Sequence, residues 1–303
     1  MRIVSLLPSC TEIACALGCA ERLVGRSHEC DFPPEIQALP VCTAARLDAS
    51  ASSSQINGQI KSLLERALSV YEIDTARLRA LRPDVILTQA QCEVCAVSLA
   101  DLEKALPQTL AHRAKIISVS PHRLADVWTD IQTIAEALHV PEEGRAVLFQ
   151  LKNRVVDVIQ KTCMIKKRPS VACVEWLDPL MAAGNWVPEM VELAGGRDLL
   201  GQPGRHSAWL EWKNLEQADP DVILLMPCGF GLERTRREAA ALESRPEWRK
   251  LHAVKSKHVF VTDGNYYFNR PGPRVVESIE ILAEILQPKL FSFGHENRGW
   301  ARL

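Results

Sequence analysis

The chain has 303 residues, 47% of them hydrophobic and 24% charged, with a formal net charge of −1. That length holds one large or two medium domains with a substantial core. The charge balance offers no basic excess for nucleic acid and no acidic tail, and no run of about 18 apolar residues predicts a membrane span.

The N-terminal stretch "MRIVSLLPSCTEIACALG" reads as a short strand, a turn and a helix. Pro8, Thr11 and Glu12 interrupt its apolar run too early for the core of a signal peptide, so a cytoplasmic protein is expected. Its ten cysteines are then expected as reduced thiols, most of them small core residues. "RLVG" is a strand that leads into Ser27, His28, Glu29, Cys30 and Asp31. Residues 48–59 form a polar loop before a helix. "LRALRPDVILTQAQC" (78–92) places a helical turn and a Val-Ile-Leu strand before Cys92 and Cys95, and "KIISVSP" (115–121) is a further strand.

Residues 122–163 carry apolar residues at helical spacing: Leu124, Val127, Ile131, Ile134 and Leu138, then Val147, Leu151, Val155 and Val158. Pro141 opens the second of these two helices. Beyond them the first pattern returns. "LEQADPDVILLMPCG" (215–229) echoes 78–92, "SVACVEWLDPLMAAGNW" echoes the N-terminal strand and turn, and "KHVFVTDG" echoes 115–121. Strands alternating with helices predict an α/β fold: two Rossmann-like lobes with parallel sheets, joined by a helical linker. The expected boundaries are 1–121, 122–163 and 164–303. A ligand cleft is expected between the lobes, at the carboxyl ends of their strands.

Taken in order, "IVSLLPSCTEIACALG", "VGRSHECDFPPE", "LRALRPDVILTQ", "AAGNWVPEMVELAGG" and "FNRPGPRVVESIEILAEIL" resemble the cobalamin-binding, helical-backbone class of substrate-binding proteins of ABC importers. The resemblance runs along nearly the whole chain and is nearest to a subgroup that carries the "QxxCxVC" element. It implies a binder rather than an enzyme, with cobalamin or a related corrinoid as ligand. The acidic residue that each lobe would use to dock on a permease has no clean match, Glu93 and Glu233 being nearby candidates.

The loops after the strands supply the candidate ligand-binding residues: His28, Cys92, Trp176, Trp186, Cys228, Phe230, Tyr267 and Arg270. Aromatic faces on the second-half loops suit an apolar ring system. Trp209 is a further candidate, and Trp212 reads as packing. Arg270 could pair with an acidic group of the ligand or fix its own loop. For the cysteines four readings stand: a zinc or iron site at His28, Cys30, Cys92 and Cys95, a redox pair, a soft ligand for the cobalt of a corrinoid, or plain packing. A metal-binding protein and a thiol-dependent enzyme acting through Cys92 are the alternative functions. The partner expected is a small molecule or metal complex, without nucleic acid.

Overall fold

The structure is a computed structural model that describes residues 1–66, 69–90, 100, 102 and 114–303. Cys92, Glu93 and Cys95 lie outside the described residues. The chain forms two compact α/β units. Met1–Ala51, Gln55–Pro121 and Ala125–Gln150 make the N-terminal one; Ser52–Ser54, His122–Leu124 and Leu151–Leu303 make the C-terminal one.

In the N-terminal unit β1 (Ile3–Ser5), β2 (Leu23–Arg26), β5 (Val85–Gln89) and β6 (Lys115–Val119) form a parallel sheet in the order β2-β1-β5-β6. The central β5 is buried along its whole length, its apolar Val85, Ile86 and Leu87 followed by the buried polar Thr88 and Gln89. A separate antiparallel ribbon pairs β3 (Thr43–Ala45) with β4 (Tyr71–Ile73). Helix α1 (Pro8–Ala16) starts on Pro8, whose fixed φ suits a first helical residue. Two further helices are α2 (Ser53–Glu65) and α3 (Thr75–Leu81).

The connection is helical, as the spacing predicts: α4 (Leu124–Ala137) and α5 (Pro141–Thr162). They are separated at His139, whose φ of 60° no helix continues.

The C-terminal unit holds β7 (Ser170–Leu177), β8 (Leu180–Ala182), β9 (Arg197–Asp198), β10 (Val222–Leu225), β11 (Val259–Thr262) and β12 (Trp300–Arg302). The order is β12-β11-β10-β7-β8, with β9 also on β7. Around the sheet lie α6 (Val187–Leu193), α7 (Trp212–Ala218), α8 (Leu232–Glu243), α9 (His252–Lys255) and α10 (Val275–Leu286).

The sequence repeat is a repeat of topology. Helix α3 ends on Arg82 with φ 46° and α7 ends on Asp219 with φ 35°. Each left-handed cap precedes a proline that bars further helix, and then an apolar strand. That strand, β5 or β10, pairs in parallel with the first strand of its unit and with the "KII" or "KHV" strand.

The end of the chain, which as sequence reads as a weakly packed tail, is built into the C-terminal sheet. Strand β12 adds antiparallel to β11 and Trp300 is buried. The carboxylate of Glu284 accepts hydrogen bonds from the backbone N–H groups of Phe293, Gly294 and His295 and from Trp300 Nε1 at 2.8 Å. Glu280, one turn earlier on α10, accepts from Arg154 Nε and Nη2 at 2.9 and 2.8 Å and lies 3.1 Å from His295 Nε2. Burial works against the charge of Glu280, but these partners outweigh it and leave its pKa below the ordinary value.

Candidate functional site

Strand β7 outruns its parallel neighbour. Register with β10 stops at Val174, so Glu175, Trp176 and Leu177 project past the carboxyl edge of the sheet. There they turn at Asp178-Pro179 and pair with β8, Trp176 opposite Met181. The chain returns once more at Trp209, which bridges to Met181. Ala182 N–H donates to Ala208 O and Leu210 N–H to Leu180 O, which makes Met181 and Trp209 a non-hydrogen-bonded pair. Side chains of such pairs stand close and on one face. The result is an apolar ladder: Trp176, Met181 and Trp209 side by side.

Exposure rises along it. Trp176 and Met181 are half-buried, and Trp209 is 59% exposed. Phe230, only 2% exposed, backs Trp176 with ring centroids 5.3 Å apart, and the Arg234 guanidinium sits 3.7 Å over the Phe230 ring. The ladder is held from beneath by Ser207, whose hydroxyl donates to the Glu175 carboxylate at 2.8 Å and accepts from Gly184 N–H. Gly184 permits this approach: a Cβ there would lie 2.4 Å from Arg205 O.

The other second-half candidates are placed differently. Trp186 is 6% exposed and its Nε1 donates to Phe268 O at 3.0 Å, so it packs rather than faces solvent. Arg270 is 5% exposed, donates to Asn265 Oδ1 and lies 5.3 Å from the Tyr266 ring, which ties its own loop together. Tyr267 meets His295 edge-on at 6.4 Å, and burial raises its hydroxyl pKa. Cys228 is half-buried beside β7, its N–H donating to Glu175 O. Trp212 packs on the core, with Arg245 over its ring.

In the N-terminal unit the carboxyl edge is polar. Arg26, the last residue of β2, donates to the carbonyls of Ser27, Cys30 and Gln37 and so fixes the loop that follows. His28 is half-buried on that loop. Its backbone N–H donates to Thr43 Oγ1 at 3.1 Å, and its Nδ1 lies 2.8 Å from the same oxygen. Its ring lies 5.6 Å from Tyr71, whose hydroxyl donates to Glu29 Oε1. Thr43 pairs with Ile73, so Tyr71, two residues from Ile73, shares a face of the ribbon with Thr43. Burial first, and then the nearby Arg26 charge, hold the His28 pKa below its ordinary value. Sequence reasoning singled out neither Thr43 nor Met181. The signal for both was strand pairing, which puts them beside residues that it did single out.

Of the proposed metal set, Cys92 and Cys95 lie outside the described residues. Cys30 is fully buried, its Sγ accepting from Thr11 Oγ1 at 3.0 Å and directed to Ser5 O. A thiol used in that way by the core is withdrawn from solvent. Among the described residues no group of three His, Cys, Asp or Glu side chains is placed to hold a metal ion. Glu233 stands exposed in the first turn of α8. Among the described residues no helix is long and apolar enough to cross a membrane.

The sequence model of the periplasmic binding protein family matches residues 3–266. The uncharacterized ABC transporter substrate-binding lipoprotein YvrC of Bacillus subtilis is 24% identical over 96% of this chain and 81% of its own length. The vitamin B12-binding protein of Photorhabdus laumondii is 22% identical over 94% of this chain and 88% of its own. Among solved structures, the apo periplasmic heme-binding protein RhuT from Roseiflexus sp. RS-1 superposes with a TM-score of 0.70. It is 23% identical and covers 95% of this chain and 98% of its own. These findings overturn the expectation of a cytoplasmic protein, since the matching family is periplasmic and the Bacillus relative is a lipoprotein.

Proposed function

This chain belongs to the periplasmic binding protein family, whose members bind substrates rather than convert them, and from that premise we propose that its ligand is a corrinoid of the cobalamin type. The observation that carries the reading is the ladder of Trp176, Met181 and Trp209. Two indoles and a thioether on one face make a flat, polarisable apolar surface, which suits the face or edge of a large ring system. Relatives named for vitamin B12 over most of the chain support the corrinoid, and the heme-binding structure marks the nearest competing ring. In this reading the protein carries its ligand to an ABC permease.

Equilibrium dialysis of the purified protein against cyanocobalamin, with haemin in a parallel cell, tests the proposal. Saturable one-to-one retention of cyanocobalamin, tighter than that of haemin, is expected. Retention of haemin alone would replace the corrinoid by a porphyrin, and retention of neither would remove the ring-binding reading.

A further inference from the structure

Two turns of the C-terminal unit lie side by side and expose apolar side chains among lysines. One is residues 163–169, which leave α5 and lead into the amino end of β7; the other is residues 287–294, which leave α10. Lys161 Nζ, in the last turn of α5, sits 5.1 Å over the Phe291 ring. Gly195 joins the turns from behind: its carbonyl accepts from Gln287 Nε2 at 3.1 Å, and a Cβ on it would lie 3.0 Å from Ile165. Met164 is 81% exposed, Leu290 45% and Phe293 43%. Phe293 is not loose, because its ring stacks on the buried Phe291 with centroids 5.6 Å apart.

The surroundings are basic. Lys161, Lys166, Lys167 and Lys289 are exposed, and among the described residues none of them forms an ion pair. The sequence holds no Asp or Glu in residues 158–174 or 285–295, although the whole chain has a net charge of −1. Asp157, one turn before Lys161, marks the border on α5. Asp221, beside Lys167, is taken up by Ser170, whose N–H and Oγ lie 2.8 and 2.7 Å from its Oδ2.

We propose that this end of the C-terminal unit docks on the headgroup layer of a bilayer that contains anionic phospholipid. Met164, Leu290 and Phe293 enter between the headgroups, and the four lysines meet the lipid phosphates. Apolar side chains on a surface ringed by lysine have the composition of an interfacial anchor, with charge and buried apolar area adding together. A second copy of the chain is a poor occupant, because a two-fold contact would bring lysines against lysines. The contact is adsorption, which needs no spanning helix. The ladder of Trp176, Met181 and Trp209 stands at the carboxyl edge of the same sheet and these turns at the amino end of β7, so docking leaves the ladder free.

Co-sedimentation of the purified protein with vesicles tests the proposal. The probes are vesicles of phosphatidylcholine with about one third phosphatidylglycerol, and vesicles of phosphatidylcholine alone. The wild type is expected to pellet with the anionic vesicles at low salt, to leave them at high salt and to ignore the neutral ones. Lys166→Gln/Lys167→Gln is expected to bind the anionic vesicles about 30-fold more weakly. Met164→Ser/Leu290→Ser is expected to bind them about tenfold more weakly. All four side chains are exposed, so both variants are expected to keep the wild-type urea midpoint. The proposal is overturned if the wild type pellets no better with anionic than with neutral vesicles, or if either double variant binds as the wild type does. A wild type that ignores both vesicles but self-associates, or binds polyglutamate, would assign the patch to a second copy or to an acidic protein segment and would equally overturn the lipid.

Discussion

The loop after β2 in the N-terminal unit carries His28, Glu29 and Ser27, laced to Thr43 and Tyr71 by hydrogen bonds. The hairpin after β7 in the C-terminal unit carries Trp176 and Met181, joined by Trp209. The strand order around β5 and β10 is the same, as are the left-handed caps that precede them. Repeated topology thus fixes where each unit offers its loops, and a handful of loop residues decides the chemistry. One edge is an ordered polar network around an imidazole, the other an apolar face.

The two units also differ in what secures their sheets, and the largest expected effect lies there. Glu284→Ala would strand several backbone N–H groups and Trp300 Nε1 in a buried setting. Each buried donor left without a partner costs about 1–3 kcal/mol, so a loss on the order of 3–5 kcal/mol is expected. Urea unfolding followed by tryptophan fluorescence reads it, and a loss below about 1 kcal/mol would show that the tail is not a structural clasp.

Next in size is the ladder. Trp176→Ala is expected to weaken cyanocobalamin retention by about 10–100-fold, or about 1.4–2.8 kcal/mol, in equilibrium dialysis. Unchanged retention would leave Trp176 as packing.

A pH effect separates the units further. Asp130 on α4 has its pKa raised to about 7, first by burial and then by Asp126, and its Oδ2 has no hydrogen-bond partner among the described residues. The folded chain therefore holds this proton more tightly than the unfolded one. Stability falls as pH rises from the ordinary value of 3.8 towards about 7, and the penalty is complete above that. Asp130→Asn is expected to stabilise by about 1–2 kcal/mol at pH 8, after discounting for partial exposure, and by little at pH 4. Urea midpoints at the two pH values check the sign, and equal shifts at both would contradict it. Smallest is Trp209→Ala, the exposed end of the ladder, expected to lower affinity by about 3–5-fold without changing the urea midpoint.

The alternation of strands and helices was legible because buried parallel strands need unbroken apolar runs, as in "VILT" and "VILLM". The left-handed caps, Arg82 and Asp219, stand just before the repeated Pro-Asp. Other features depended on what meets what in three dimensions. Phe230 and Trp176 look alike as loop aromatics, yet one backs the other. Trp186 looked available until its Nε1 was seen to be taken by a carbonyl. Cys30 looked like a ligand, but Thr11 and Ser5 enclose it. The tail carried one signal that could have been read. Glu280 and Glu284 share a face of a mostly apolar helix, and buried carboxylates need partners.

The central claim is that the apolar edge of the C-terminal unit grips the ring. Calorimetric titration of cyanocobalamin into wild-type protein and into the Trp176→Ala/Trp209→Ala double variant tests it most directly. The account predicts one-to-one binding to the wild type and affinity weaker by about 30- to 500-fold in a double variant with wild-type stability. Equal affinities for the two proteins would contradict it.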